Sequence, residues 1–407
     1  MKNNAIILGG QPLNIGIADL FHSIGLNVVV IDYRENINLK YDKHILFDAT
    51  NPNVIEIIKK EGIDNVKVVY TSMDNAGLAQ RELCKYFNLL YAPKEAMINA
   101  HNKNLMHKVW SENNLLNRIS FALDTFNPEK IIDLNKEHKV IIKPSDSCAS
   151  RGITILDKNS TTDAIERAFN YAKDNSQNSF VNIEEFIDGT EFTVEMLGDN
   201  YGNVSVFGIS KKYHTQNAPK NKVAIKLHYN ALDVDQKLQN KIAETGIKCY
   251  KTLGLKNTLG HLEIILKENG ELSPVELGAR SSGFIASHLA QAGVDQVFLQ
   301  EFMEVLNGKK ITNGLLPQNN TSAMYYFYDM KPNKPVRKVT NITNYLNSKI
   351  SSPYFDRSNI ILNKIYSTLK QDTDRYGYEI LIGPKELLTI ENVKKAEKEF
   401  CKDLFDE

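Results

Sequence analysis

The chain has 407 residues, long enough for two or three domains with a sizeable core, and its 49 Lys plus Arg balance its 49 Asp plus Glu. Balanced charge excludes the basic field of a nucleic-acid or acidic-membrane binder, so neither partner is expected. The cysteines Cys84, Cys148, Cys249 and Cys401 lack CxxC spacing, which argues against a zinc site or a disulfide framework. No apolar run approaches the ~18 residues of a membrane span, and MKNNAIILGG has no signal-peptide core; a soluble, cytoplasmic protein is expected.

Residues 1–95 alternate between strand and helix patterns: AIILGG as a buried strand, NIGIADLFHSIGL as a helix with Gly25 near its end, then NVVVIDY and VKVVYTS as strands. That alternation predicts a parallel, doubly wound Rossmann-like sheet. Gly9 to Gly16 with Asp32 at the end of the next strand resembles a dinucleotide site, but the spacing is not GxGxxG. Tight-turn glycines in a domain that does not bind NAD fit better, which makes a dehydrogenase the weakest functional reading.

HNKNLMHKVWSENNLL predicts a helix with Lys103 just inside its start. VIIKPSDSCASRGITIL, residues 140–156, is two β-branched runs around a loop of small residues, with Lys143 where the first run ends. One reading is a hairpin whose edge lysine guards against aggregation. The other is a phosphate-covering loop in which backbone N–H groups approach an anion and Lys143 and Arg151 supply charge. At the loop mouth, Lys143 is expected to contribute little to the core. Cys148 reads as a tolerated small residue. Further on come a helix at TTDAIERAFNYAK, strand–link–strand in FVNIEEFIDGTEFTVEML, a long polar loop around KKYHTQNAPKNK and a helix in LQNKIAETGIKCYKTLG. The tail from about 310 alternates strand and helix, with PVRKVTNI and YGYEILIG as its strands.

GHLEIILKENGELSPVELGARSSG, residues 260–283, is the most informative segment. Asn269-Gly270 predicts a two-residue hairpin turn, with residue 268 opposite 271. Counting outward, Glu263 falls opposite Glu276 with Cα atoms about 4.5 Å apart, and Pro274 at a non-bonded position. The other face carries Leu262, Ile264, Leu266, Val275 and Leu277, an apolar set that must be buried. Two carboxylates about 5 Å apart repel by roughly 3 kcal/mol at an effective dielectric of about 20, so a cation or a proton must sit between them. Oxygen ligands select a hard ion such as nucleotide-bound Mg²⁺. The ordinary alternative is a splayed, solvated pair. Arg280, four residues on in a small-residue turn, favours an oxyanion site.

These residues resemble the ATP-grasp superfamily, more narrowly its amino-acid-ligase and biotin-carboxylase-like branch, over roughly residues 1–310. The resemblance implies an α/β fold: a Rossmann-like domain at 1–95, an ATP-grasp domain at 96–310 with a lid at about 120–187, and a C-terminal α/β subdomain at 311–407. By resemblance Lys103 and Lys143 contact phosphate, and Ser147, Ser150, Arg151 and Gly152 belong to the flap. Glu184, Glu185, Phe186 and Ile187 would meet adenine through the backbone, Glu191 would take the ribose, and Ile153 and Ile265 would wall the adenine slot. Glu263 and Glu276 would ligate Mg²⁺, as two ions for which Mn²⁺ could substitute, and Arg280 would stabilise an acyl phosphate. Lys211, Lys212, His214, Ser282 and Gly283 are substrate candidates. Many relatives carry asparagine where this chain has Gly278, which loosens the second metal site.

The implied activity is ATP-dependent joining of a small carboxylate to an amine, with ADP and phosphate as products and a homodimer as one compatible assembly. The alternatives are bicarbonate-dependent carboxylation of the biotin-carboxylase or carboxyaminoimidazole type and an inactive nucleotide-binding scaffold.

Overall fold

A computed structural model describes residues 3–11, 14–51, 53–147, 151–215, 223–282, 298–312, 314, 319–328, 334–369 and 374–405. Ser150 and Gly283, together with Cys148, lie outside the described residues. The first unit is a parallel sheet of β1 (Asn4–Leu8), β2 (Asn27–Asp32), β3 (Lys43–Leu46) and β4 (Val66–Thr71), ordered β3-β2-β1-β4. Helices α1 (Ile15–Ser23), α2 (Val54–Lys60) and α3 (Gly77–Tyr86) accompany it. The continuous burial of β1 and β2 is what a sheet covered on both faces requires. Asp32 is not open to a ribose: its carboxylate accepts from Gly10 N–H at 2.6 Å and from Arg34 at 2.7–2.9 Å.

α4 (Lys94–His101) leads into α5 (Lys103–Glu112), and the Asn102 side chain caps α5 by accepting from Asn104 and Leu105 N–H. α5 anchors on Trp110, which is fully buried and donates to the Cys249 carbonyl at 3.3 Å. Burying such a side chain stabilises by roughly 2–3 kcal/mol. A small antiparallel sheet follows: β5 (Ser120–Leu123), β6 (Val140–Pro144), β7 (Thr154–Leu156) and β8 (Val181–Glu185), ordered β5-β8-β6-β7, with α6 (Pro128–Glu137) and α7 (Thr162–Asp174). The predicted hairpin is the β6–β7 pair, in the register Val140 opposite Leu156.

The large sheet has eight strands in the order β13-β12-β9-β10-β11-β14-β16-β15. They are β9 (Thr190–Gly198), β10 (Val204–His214), β11 (Ala224–Tyr229), β12 (Thr258–Leu266), β13 (Leu272–Gly278), β14 (Thr321–Phe327), β15 (Ser351–Asp356) and β16 (Tyr378–Pro384). Helix α8 (Gln236–Thr252) packs on β9, β10, β12 and β13, while α9 (Phe298–Leu306) and α10 (Ile390–Phe405) close the remaining apolar faces. The tail strands β14, β16 and β15 thus extend this same sheet. Among the described residues no helix is long and apolar enough to cross a membrane.

Three local expectations are corrected. Lys211, Lys212 and His214 lie in strand β10, not in a polar loop: they end a strand that is continuously buried from Val204 to Ser210, between β9 and β11 and against α8. PVRKVTNI forms only an isolated bridge, Pro335 with Ile365, followed by a 3₁₀ turn at Ile342–Tyr345. The β12–β13 turn is also longer than two residues. Lys267 N–H bonds the Glu271 carbonyl and Gly270 N–H bonds the Lys267 carbonyl, both at 2.9 Å, and Gly270 takes φ +81. This is a three-residue loop closing with glycine in the left-handed region. Ile264 therefore faces Pro274 and Leu266 faces Leu272.

A bulge between that segment and Glu263 then restores the register, so Glu263 does face Glu276. The two irregularities cancel at the pair that matters. Leu272 joins Leu262, Ile264 and Leu277 in the core, while Val275, the bulged residue, is only half-buried.

Candidate active site

Period-two geometry puts Glu191, Thr193 and Glu195 of β9, Ser210 and Lys212 of β10, His261, Glu263 and Ile265 of β12, and Glu276 of β13 on one face of the large sheet. Lys211 points to the opposite face and pairs with Asp233, so it is not brought to the site. The opposed glutamates are relieved by separate cations. Lys212 Nζ lies 2.6 Å from Glu263 and 2.5 Å from Glu191, and Lys103 Nζ lies 2.9 Å from Glu276. His214 Nε2 is 2.9 Å from the other oxygen of Glu191.

Burial opposes ionisation of Glu263, yet Lys212 and His261 hold its carboxyl well below the usual range. His261 itself bridges two acids: Nδ1 is 2.6 Å from Glu195 and Nε2 is 3.8 Å from Glu263. Burial alone would lower its pKa, but Glu195 and Glu263 together raise it to about 9.

The lid sheet supplies a second cluster. Lys143, at the end of β6, lies 2.8 Å from Glu184 on β8, with side-chain exposures of 4% and 2%. Arg118 Nε donates to the other Glu184 oxygen at 3.0 Å, and His107 Nδ1 lies 3.6 Å from Glu184. Arg118 also donates to the Pro274 and Val275 carbonyls, the latter exposed for it by the β13 bulge, and His107 Nε2 donates to Val275 O at 3.0 Å. The lid core is thereby tied to the β12–β13 hairpin. The expectation that Lys143 matters little to the fold is overturned, since it is buried and ion-paired. Burial pushes its ammonium pKa down against the pull of Glu184.

The other candidates fall around these clusters. Lys103 Nζ also donates to the Ser147 carbonyl at 2.9 Å, and Lys103 N–H to the Ser145 carbonyl at 2.8 Å, so the start of α5 holds the root of the segment that follows β6. Asp146 anchors that root from the other side by accepting from Ser176, Gln177 and Asn178. Arg151 is exposed, Gly152 is buried at φ +73 and Ile153 is half-buried. The Glu185 and Phe186 N–H groups bond the Ile119 and Lys139 carbonyls at 2.9 Å, so these two donors serve the lid sheet, and Ile187 follows in the link to β9. The Glu185 side chain reaches His138 at 3.2 Å. Ile265 lies opposite Glu191 across β12–β9. Arg280, just beyond β13, forms a bidentate pair with Asp74 at 2.8 and 2.7 Å, and Ser282 is buried beside it.

Arg118, His107, Asp74, Glu195 and His261 were not singled out by sequence. Three of them carried a signal. His107 lies one turn from Lys103 on the same helix face, and Glu195 and His261 lie two residues, hence one face, from positions adjoining the glutamate pair. Arg118 and Asp74 act from distant parts of the chain.

Among the described residues no group of three or more carboxylate, imidazole or thiol side chains is clustered for a metal. The chemistry of the donors still fits Mg²⁺: two opposed carboxylates, each already holding a cation, leave the remaining positions to phosphate oxygens and water.

A parallel sheet, a small antiparallel sheet and a large sheet with a charged face make up the fold, and comparison with known proteins specifies its class. Residues 136–288 match the ATP-grasp domain family, so the chain carries an ATP-grasp domain, and its α/β fold is the ATP-grasp fold. A D-alanine–D-alanine ligase of Desulforamulus reducens is 28% identical over 134 residues, 32% of this chain and 40% of that ligase, so the match spans well under half of the relative's length. The crystal structure of an L-amino acid ligase from Bacillus licheniformis superposes with TM-score 0.74 at 18% identity, covering 99% of this chain and 98% of that one. A biotin carboxylase from Campylobacter jejuni gives 0.69 at 15% identity, covering 94% and 87%.

Proposed function

We propose that the protein is an ATP-dependent carboxylate–amine ligase that forms an amide or peptide bond through an acyl phosphate and releases ADP and phosphate. The observation that carries this reading is the opposed pair Glu263 and Glu276 on β12 and β13, with Lys212 2.6 Å from the first and Lys103 2.9 Å from the second. In this reading ATP lies between the lid sheet and the charged face. Lys143 and Lys103 face its phosphates, Ser147, Arg151 and Gly152 border them, and Ile265 with Ile187 borders the adenine. Glu191, released from Lys212, takes the ribose hydroxyls. Glu263 and Glu276 would hold Mg²⁺, which when bound neutralises the charge of the transferring phosphoryl group.

Arg280 orients the substrate carboxylate and the acyl phosphate derived from it. An amine then attacks the acyl carbon and phosphate leaves. Positioning and electrostatics carry most of such a transfer. Lys212 and His214 turn toward the transferred phosphoryl as Glu191 and Glu263 take up ligand.

Incubation with ATP, Mg²⁺, candidate acids and amines, followed by nucleotide analysis and mass detection of the product, tests the reading. ADP, phosphate and an amide are expected. AMP with pyrophosphate would contradict it, and turnover that depends on bicarbonate would move the protein to carboxylation.

A further inference from the structure

We propose that Arg118 and His107 are positioning residues for the metal site: by clamping the peptide between Val275 and Glu276 they aim the Glu276 carboxylate, and Arg118 joins that aim to the lid. This rests on the ligase reading, because it takes Glu276 as a Mg²⁺ ligand. β13 is an edge strand of the large sheet, so its outer side has no neighbouring strand to bond its carbonyls. Successive carbonyls of a regular strand point to opposite sides, one toward the partner and the next away. Here two consecutive carbonyls, Pro274 and Val275, accept from the same guanidinium, one from each terminal nitrogen of Arg118. The bulge supplies the irregular backbone that such a contact needs, since the register passes from Glu263–Glu276 to Ile264–Pro274 and leaves Val275 without a cross-strand partner.

The Val275 carbonyl also accepts from His107 Nε2 at 3.0 Å. A carbonyl only accepts, so Nε2 carries the imidazole proton, and Nδ1 is left to accept from Ser120 Oγ at 2.9 Å. Val275 C=O and Glu276 N–H share one rigid peptide plane, so two donors on that oxygen fix the direction in which the chain enters Glu276. The clamp continues on either side: Asn117 donates to the Leu272 carbonyl at 3.1 Å, and Leu277 N–H meets Met106 Sδ at 3.2 Å.

The two metal-ligand candidates differ in what holds them. Glu263 lies on β12, an interior strand bonded by β9 on one side and β13 on the other. Glu276 lies on the edge, next to the bulge, with its side chain 30% exposed and 2.9 Å from Lys103. Arg118 and His107 are both buried, so they act through Glu276 rather than on a ligand. The third nitrogen of Arg118, Nε, donates at 3.0 Å to Glu184, the carboxylate that holds Lys143 at 2.8 Å. One guanidinium thus touches the peptide of a metal ligand and the partner of the lid lysine that faces the phosphates in this reading.

Mn²⁺ binding to the full chain with ADP, read from the electron paramagnetic resonance of free Mn²⁺, tests the clamp. His107→Leu, which has no donor for Val275, and Arg118→Lys, which keeps a charge beside Glu184 but loses the fork, should each weaken Mn²⁺ roughly ten- to hundredfold. His107→Gln, whose amide can donate to the same carbonyl, should bind Mn²⁺ nearly as the parent does. ADP affinity in EDTA should be unchanged in His107→Leu and lowered in Arg118→Lys, because Arg118 alone of the two also donates to Glu184. Unchanged Mn²⁺ affinity in His107→Leu and Arg118→Lys, beside a loss in Glu276→Gln, would overturn the clamp and keep the metal reading. Equal losses of Mn²⁺ and metal-free ADP affinity in His107→Leu would reduce His107 to a structural residue and overturn it as well. Mn²⁺ binding in Glu276→Gln that matches the parent would instead sink the metal reading, and with it the metal role of the clamp. The crystal structure of His107→Leu then reads the clamp by itself: a turned Val275 peptide and loss of the Glu276–Lys103 contact are expected, and retention of both would overturn it.

Discussion

Two ion clusters face each other across the cleft, and they are built to opposite rules. On the lid side one carboxylate, Glu184, meets two basic side chains, Lys143 and Arg118, and all three are at most 4% exposed. On the sheet side three carboxylates, Glu191, Glu195 and Glu263, share Lys212 and His261, with Glu191 and Glu263 about one-fifth exposed. The first has a surplus of positive charge and little solvent, which suits a phosphate anion and makes the cluster part of the lid core. The second has a surplus of negative charge, and its glutamates are held by an internal ammonium group and a histidine.

The histidines report the same contrast. His107, buried beside Lys143 and Arg118, is lowered to about 4 by burial and then by those cations, against the pull of Glu184, while His261 between two carboxylates is raised to about 9 against the effect of burial.

The largest expected effect breaks the lid cluster. Lys143→Ala removes one member of a buried pair and should cost about 3–5 kcal/mol of stability, near the lower end because Arg118 remains on Glu184. Urea denaturation measures it. A cost below about 1 kcal/mol would place Lys143 with the exchangeable charges of the sheet wall, and the contrast would fail.

Acidification sharpens the comparison with a smaller effect. His107 has a folded pKa of about 4, below the unfolded value near 6.5, so its contribution is complete above about pH 6.5 and is lost as pH falls toward 4. Glu184 adds acid sensitivity of the same sign below its own unfolded range, because its pKa too is depressed. The parent should lose on the order of 1.4 kcal/mol per pH unit more than His107→Gln between pH 6 and 4.5. Equal slopes in urea midpoints would mean that His107 is not held neutral by the lid cluster.

How much of this was legible in the sequence depended on whether a local pattern decided it. The β1, β2, β8 and β9 strands and the α5, α7 and α8 helices follow from periodicity, and Asn102 capped α5 where the pattern placed its start. The Glu263–Glu276 pairing was also readable, though by a route the structure corrects. The turn chemistry of Asn269-Gly270 suggested two residues, the chain uses three, and a bulge at Val275 compensates. Nothing local announces such a bulge, because its driving contacts, from Arg118 and His107 to the exposed carbonyls, come from more than 150 residues away.

Lys211 and Lys212 read as loop charges because they are polar and adjacent. Only the strand assignment separates them, sending Lys212 to the site and Lys211 to Asp233. Asp74 could not have been found by spacing at all, since its pairing with Arg280 joins positions 206 residues apart.

The central claim is that the sheet-wall carboxylates exchange internal ammonium groups for Mg²⁺ and nucleotide. Thermal unfolding with and without Mg²⁺ plus a non-hydrolysable ATP analogue tests it most directly, comparing the parent with Glu276→Gln. Ligand stabilises the folded state in proportion to how tightly it binds. The parent should gain several degrees more than Glu276→Gln, and the difference should vanish when Mg²⁺ is chelated. Equal shifts for the two proteins in Mg²⁺ would contradict the account and place the metal site away from the hairpin.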